Sequence, residues 1–262
     1  MRKKSIDFSK YSSIKIGPTL DVAVIESQEE IDKNFLQEYF LVGGANNLLV
    51  SPTPPPLAIL GKNFDFIQIE ENCLRVGAAT KTGKLLSFAK KHNIAHLEFI
   101  AKLPGTVGGM LAMNAGVKSY EIFNIIKRIK INGIWREKKE IEHGYRFAKL
   151  NGVATEVELE LTFGYSEALK NELLTLRNNQ PKEPSAGSAF KNPEGDYAGR
   201  LIEAVGLKGH RVGNMAFSPM HANFLVNLGG GSFDEALTLI NLAKKRVFEE
   251  FGVLLKEEIK II

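Results

Sequence analysis

The chain has 262 residues, 44% hydrophobic and 24% charged, with a formal net charge of +4. That length accommodates one large domain or two to three small ones with real apolar cores, and the composition is that of an ordinary soluble globular protein. The positive charge is spread thinly, with Lys-Lys pairs at 90–91, 138–139 and 244–245. It suits acidic ligands such as phosphates but forms no basic block interleaved with aromatics, so no nucleic-acid interface is expected. The single cysteine, Cys73, excludes an internal disulfide and a cysteine-based zinc site and fits a reducing compartment. "MRKKSIDFSKYSS" has no apolar run behind its charges, and no stretch approaches a membrane span. A cytoplasmic protein with no membrane association is expected.

In chain order, "LDVAVIES" and "YFLVGG" read as strands ending in turn chemistry. "SPTPPPLAIL" (51–60) is the most proline-rich segment and marks a boundary between subdomains. "FIQIEENCLRVGA" reads as a hairpin turning at Glu71–Asn72. "TGKLLSFAKKHN" carries Leu85, Leu86 and Ala89 at helical spacing with basic residues in its last turn. "FNIIKRIKINGIWREKKEIE" alternates around an Asn132–Gly133 turn, a second hairpin, and "TEVELELTF" is a strand. The last third changes style. "SEALKNELLTLRNN" and "SFDEALTLINLAKKRVFEEFG" are helical, the latter opened by a Ser232–Glu235 capping box. "ANFLVNL" and the closing "LLKEEIKII" read as strands. The fold class is α+β: a mixed sheet region followed by a smaller α/β unit after about residue 166.

Three places are rich in glycine: "VGGANNLLV" (42–50), "LPGTVGGMLAMNAG" (103–116) and "NLGGGSFDEA" (227–236). Glycine lets backbone approach a ligand, and free N–H groups in such turns cradle phosphate oxygens. Neither the G-x-G-x-x-G nor the G-x-x-x-x-G-K-[ST] pattern is present. The third place is explained as the approach to a capped helix. The first two, with Asn46, Asn47 and Asn114 supplying amides, suit a nucleotide phosphate.

"SAGSAFKNP" (185–193) raises Ser188 as a candidate. Ser188–Lys191 spells S-x-x-K, but "KTG" at 81–83 precedes rather than follows it, no S-D-N lies between, and Pro193 opposes the helix that would bring Lys191 beside Ser188. Position 190 is Phe, so there is no G-x-S-x-G elbow. No spacing picks His210 or His221 as a triad partner, and no carboxylate–histidine pattern suggests a metal.

Taken in order, "VGGANNLLV", "LPGTVGGMLAMNAG", "GYRFA", "SAGSAFKNP", "AGRLIEAVGLKG", "HANFLVN" and "LLKEEIK" resemble the UDP-N-acetylenolpyruvoylglucosamine reductases, from about residue 11 to the C-terminus. The resemblance implies a flavoenzyme of peptidoglycan synthesis that uses NADPH and non-covalent FAD to make UDP-N-acetylmuramate, and that works as a monomer. The implied architecture is an FAD-binding portion in two subdomains (1–54 and 55–165) of the vanillyl-alcohol-oxidase type, plus a C-terminal α/β substrate domain (166–262) whose last strand returns towards the flavin site. The short stretch between "LELTF" and "RNNQP" resembles the shorter type of the family, without the tyrosine-bearing loop.

In such enzymes NADPH reduces FAD, and the flavin then delivers hydride to the enolpyruvyl methylene carbon. A cation must meet the developing enolate and a donor must complete it with a proton. By resemblance Arg146 pairs with the carboxylate, Ser188 donates the proton, and Glu258, with a raised pKa, assists the enolate. The implied cofactor-binding residues are Gly43, Gly44, Ala45, Asn46, Asn47 and Leu48, then Pro104, Gly105, Thr106, Gly108, Gly109, Asn114, Ala115 and Gly116. The implied substrate-binding residues are Tyr145, Lys191, Asn192 and Arg177. The chain departs from the family pattern at Ala45–Asn46 (usually Gly-Ser), Ala148 (often Ser), Glu257 (commonly Pro) and "RNNQP", which lacks a lysine before the glutamine. Adjacent glutamates on a strand face opposite sides, so only one of Glu257 and Glu258 enters the site, and the register from Leu255 favours Glu258.

Overall fold

The computed structural model describes residues 1–32 and 34–262 and divides into two compact units. The first comprises Met1–Lys4, Asp21–Gly44 and Pro55–Arg177; the second comprises Ser5–Leu20, Ala45–Pro54 and Asn178–Ile262. The chain passes between them at Pro54–Pro55, inside the segment whose prolines marked a boundary.

In the first unit, the strands Thr19–Ile25, Leu57–Leu60 and Phe40–Leu41 run parallel, with Ala23 opposite Ala58 and Phe40 opposite Leu57. A five-stranded antiparallel sheet follows, ordered Ile134–Glu137, Ile126–Ile131, Ala154–Glu160, Cys73–Gly77 and Ile67–Glu70. Both expected hairpins are present in it. Asn132 and Gly133 have φ of 49° and 80°, the left-handed pair that a two-residue turn needs to match strand twist.

Period-2 alternation decides the sheet's two faces. Leu74, Val76, Ile129, Val157 and Leu159 point into a core shared with the helices Thr82–Lys91 and Val107–Met113. On the other face, Glu156 and Glu158 are buried beneath cations. The Arg128 guanidinium holds Glu158 through bonds of 2.6 and 2.8 Å and lies 4.8 Å from the Trp135 ring. Lys130 and Arg75 both bond Glu156. Cys73 and Glu70 lie near Glu158, but both Glu158 oxygens are taken by Arg128, and burial pushes the Cys73 thiol up, away from the thiolate a metal requires. This face is a charge ladder.

The helix Glu167–Thr175, which the sequence assigns to the third segment, places Leu173 in the first unit's core alongside Leu169 and Leu176. By its contacts the first unit therefore runs on to Arg177. The apolar side of this helix is complementary to a core already formed, which its sequence alone does not reveal.

The second unit is an antiparallel sheet ordered Ser185–Ser188, Phe224–Asn227, Met215–Phe217 and Arg211–Val212. The helices Ala198–Ala204 and Phe233–Phe251 supply Leu201, Ile202, Leu239, Ile240 and Val247 to a core centred on Phe190 and Phe217. Each such buried side chain contributes about 1.5–3 kcal/mol. The capping box at Ser232 and Glu235 is formed, and Gly252 closes the same helix at φ 66°.

The expected strand over 254–262 is regular only at Lys260–Ile261, which runs parallel to Leu48–Leu49. Upstream, Glu257 makes an isolated bridge to Phe190. The segment changes partner along its length, so no continuous ladder forms. Among the described residues no helix is long and apolar enough to cross a membrane.

Asn227 is 3% exposed and fastens three segments of this unit. Its Nδ2 donates to the Ile14 carbonyl at 2.9 Å, while its Oδ1 accepts from Gly229 and Gly231 at 2.9 Å each. Removing the amide leaves the buried Ile14 carbonyl and two loop N–H groups without their partner. Asn227→Ala is expected to lower the unfolding free energy by about 2–4 kcal/mol in a denaturant titration; a loss below about 1 kcal/mol would show that water replaces those bonds at no cost.

Candidate functional site

In the first unit the two glycine-rich stretches meet. A Cβ built on Gly43 would lie 2.7 Å from Thr106 Oγ1 and 3.6 Å from Gly109 Cα, so only glycine admits this approach. The stretch 103–116, read as a glycine turn, contains the helix Val107–Met113, with Thr106 as N-cap and Asn114 as C-cap. Its first N–H groups have protein partners. Val107 donates to Thr80 at 2.9 Å, Gly108 to Ala78 at 2.8 Å, and Gly109 to the Thr106 hydroxyl at 3.3 Å. The N–H groups of Gly108 and Gly109 are thus taken inside the protein and are not left over for a phosphate. Pro104 is exposed, and Gly105 (φ 133°) gives its carbonyl to Thr82.

The turn after Gly43 behaves differently. Among the described residues, no protein acceptor takes the backbone N–H of Gly44, Ala45 or Asn46, and Ala45 has φ 51°. Consecutive N–H groups beside a left-handed residue form an anion-binding concavity.

Asn114 is also reassigned. It is 1% exposed, with Nδ2 donating to Glu121 Oε2 at 2.7 Å and to the Gly144 carbonyl at 3.0 Å, and Oδ1 accepting from Phe123 at 3.2 Å. Its amide is a brace inside the protein rather than a ligand contact. Ala115 continues this brace by accepting from Ile122.

What the brace holds is the hairpin carrying Tyr145 and Arg146, which connect His143–Gly144 to Phe147–Ala148. Arg146 has φ 59°, a backbone conformation that costs a side-chain-bearing residue about 1–2 kcal/mol. Its Nη2 donates to the Gly116 carbonyl at 3.0 Å, Nη1 is 3.9 Å from Glu121, and the guanidinium is 5.2 Å from the Tyr145 ring. Gly116 must be glycine here, since a Cβ would fall 2.1 Å from the Tyr120 carbonyl. Burial, with the charge of Arg146 adding to it, pushes the Arg177 guanidinium below its ordinary value. Two cations that repel each other in a partly buried place favour an anion.

In the second unit, Ser188 ends a strand where the sequence suggested only turn-formers. Ser185 pairs with Val226 and Ser188 with Phe224, so three steps on one strand oppose two on the other: a β-bulge. Gly187 at φ 83° is the residue that permits it. Bulges re-aim side chains, and this one precedes Ser188 directly. Beyond it Ala189 bends, Phe190 bridges Glu257 and the Lys191 N–H donates to the Lys256 carbonyl at 2.9 Å, so no helix turns Lys191 towards Ser188.

The Glu258 N–H donates to the Ala189 carbonyl at 2.9 Å, and the Asn47 side chain donates to the Glu258 carbonyl at 2.9 Å. Ser188, Glu258 and Asn47 are thereby tied through adjacent backbone. Asn46 donates to the Ser13 hydroxyl at 2.5 Å, and Leu48 begins the strand that Lys260 joins. Glu257 is bound by Lys244 at 2.7 Å, which holds its carboxyl below the usual range despite burial acting the other way. Asn192 Oδ1 accepts from the Ala198 N–H at 3.1 Å and so anchors the following helix.

Comparison with known proteins identifies this arrangement. The model of the UDP-N-acetylenolpyruvoylglucosamine reductase C-terminal domain matches residues 180–262. The UDP-N-acetylenolpyruvoylglucosamine reductase of Helicobacter hepaticus is 45% identical over 262 residues, 100% of both chains. That of Campylobacter jejuni is 48% identical, covering 98% of this chain and 99% of the relative. The chain belongs to the UDP-N-acetylenolpyruvoylglucosamine reductase family. The crystal structure of the Thermus caldophilus reductase superposes with a TM-score of 0.86 at 32% identity, covering 100% of this chain and 99% of the other. Membership brings an oxidoreductase activity, reduction of UDP-N-acetylenolpyruvoylglucosamine in peptidoglycan synthesis, and implies FAD as cofactor. The residues present fit such a group, since the 44–46 N–H donors suit a pyrophosphate.

Glu121 and Asn223 escaped the sequence reading. Glu121 lies in an unpatterned "YE" with no signal, whereas Asn223 lies inside the quoted "HANFLVN". The strain at Arg146 gives a direct expectation. Arg146→Gly should be more stable than Arg146→Ala by about 1 kcal/mol in chemical denaturation, the reverse of the order at an ordinary position; an Ala variant as stable as Gly would mean that the left-handed backbone is not retained.

Proposed function

We propose that the chain reduces UDP-N-acetylenolpyruvoylglucosamine to UDP-N-acetylmuramate with NADPH as hydride source and FAD held non-covalently, as a cytoplasmic monomer. The segments 1–54 and 55–165 hold FAD, of the vanillyl-alcohol-oxidase type, and the C-terminal segment takes the substrate. When bound, FAD carries hydride from NADPH to the enolpyruvyl methylene carbon. The electron pair of the substrate double bond then rests on the carbon bearing the carboxylate.

Arg146 pairs its planar guanidinium with that carboxylate, a bidentate geometry that lysine lacks. Because the Asn114 brace and the left-handed turn fix Arg146 beforehand, little reorganisation is needed as charge develops. The Ser188 O–H bond breaks as a C–H bond forms at the carbanionic carbon, and the alkoxide recovers a proton from water. Hydride and proton together complete the reduction. Glu258, protonated, donates a hydrogen bond to the enolate. Lys191 and Asn192 hold the uridine diphosphate end, and Tyr145 and Arg177 are further substrate-binding residues.

The observation that carries this reading is the Gly187 bulge, which delivers Ser188 onto the same short backbone strip that receives the Glu258 N–H. A surface serine would need neither feature.

Purified protein is expected to be yellow, to bleach with NADPH, and to recover its colour anaerobically with UDP-N-acetylenolpyruvoylglucosamine. Protein that takes up no FAD overturns the reading. Ser188→Ala should leave NADPH-driven bleaching within about threefold of the unsubstituted enzyme and slow recovery by about 10²–10⁴-fold, measured by anaerobic rapid mixing. Equal loss in both halves would remove Ser188 as the proton donor.

A further inference from the structure

Ser188 is the last residue of its strand to pair with the Phe224–Asn227 strand, opposite Phe224. Having taken an extra residue into the bulge, the two chains would part here. Asn223 prevents this. Its carbonyl accepts from Ala189 at 2.7 Å, its Oδ1 accepts from the Phe190 N–H at 3.0 Å, and its Nδ2 donates to the Phe190 carbonyl at 2.8 Å. A side-chain amide has the donor and acceptor of a peptide group, so Asn223 stands in for one more rung of the sheet. The opposite edge of the same strip is held by Glu258, which donates to Ala189, and by the bridge between Phe190 and Glu257.

Ala189 and Phe190 are therefore bonded along both edges and almost wholly buried, at 1% and 0% exposure. Asn223 is itself 4% exposed, and its own N–H is fixed by His221 Nδ1 at 3.2 Å. Burial keeps the His221 imidazole below its ordinary pKa, in the neutral form whose Nδ1 can accept.

We infer that Asn223 is a positioning residue: by clamping Phe190 it fixes where the Ser188 hydroxyl lies relative to Glu258. The inference rests on Ser188 being the proton donor. Among side chains of this size only asparagine supplies both bonds from two separate atoms, because ionised aspartate lacks the donor and serine carries its donor and acceptor on a single, shorter-reaching oxygen. The clamp acts on protonation of the substrate and not on reduction of the flavin, and a misplacement of about 1 Å in such a group costs about 100-fold.

The test uses the full chain carrying Asn223→Ala, with Asn223→Ser as the variant that decides if the alanine form does not fold. In FAD-loaded protein, bleaching by NADPH is expected within about threefold of the unsubstituted enzyme, and recovery with UDP-N-acetylenolpyruvoylglucosamine slowed about 10- to 100-fold. Amide hydrogen exchange, measured with and without FAD, should speed up about tenfold or more over 186–190 and 256–260 while the Phe233–Phe251 helix stays protected. In a Ser188→Ala background the Asn223 substitution should add less than about threefold, since both act through one group. Equal slowing of both half-reactions, faster exchange with unchanged recovery, or full multiplication of the effects in the double variant would each overturn the inference. If Ser188→Ala itself recovers at the original rate, the proton-donor reading falls and this role of Asn223 falls with it; if Ser188→Ala is slow and the Asn223 variants are not, the clamp alone is wrong.

Discussion

Both residues proposed to meet the substrate's developing charge stand on or beside backbone that is left-handed. Arg146 is itself at φ 59°, and Ser188 follows Gly187 at φ 83°. Regular strands alternate side chains between two faces and offer no third direction. A positive φ breaks that alternation, in the hairpin turn that carries Arg146 and at the bulge directly before Ser188. At Gly187 the conformation is free of steric cost, whereas at Arg146 it stores about 1–2 kcal/mol that the surroundings must offset.

Each unit supplies that support by a different route. Around Arg146 it is polar: the three bonds of Asn114 tie the helix end, Glu121 and the hairpin together inside a large apolar core. Around Ser188 it is a strip of backbone bonded along both edges and sealed by Phe190. Buried side-chain amides serve both purposes, since one amide can satisfy a donor and an acceptor at once in a place water does not reach.

The glycines divide along the same physical line. Gly43 and Gly116 are needed because another part of the chain comes too near for a Cβ, Gly187 because of its φ. Among the described residues, the turn from Gly44 to Asn46 leaves its N–H groups without a protein acceptor, and its left-handed residue is an alanine. A glycine in a sequence thus marks a backbone constraint without saying whether neighbour, conformation or ligand imposes it.

Local chemistry was enough to read the two Asn-containing hairpins, the Ser232 capping box, the helix Thr82–Lys91 and the α+β class, because turn preferences and hydrophobic period act over a few residues. The ordered motifs were enough to name the family, and on them rests the proposal of Arg146, Ser188 and Glu258. Other features lay beyond the sequence. The helix Glu167–Thr175 went to the first unit because its apolar side fits a core made elsewhere in the chain. The C-terminal segment is irregular because it pairs first with 189–191 and then with 48–49. Asn114 became a brace, and Asn223 a rung of a sheet, only when residues 30 and 33 positions away arrived beside them. Short-range order follows from neighbours in sequence, but the role of a buried amide follows from the partners that folding brings within 3 Å, and those only the tertiary structure decides.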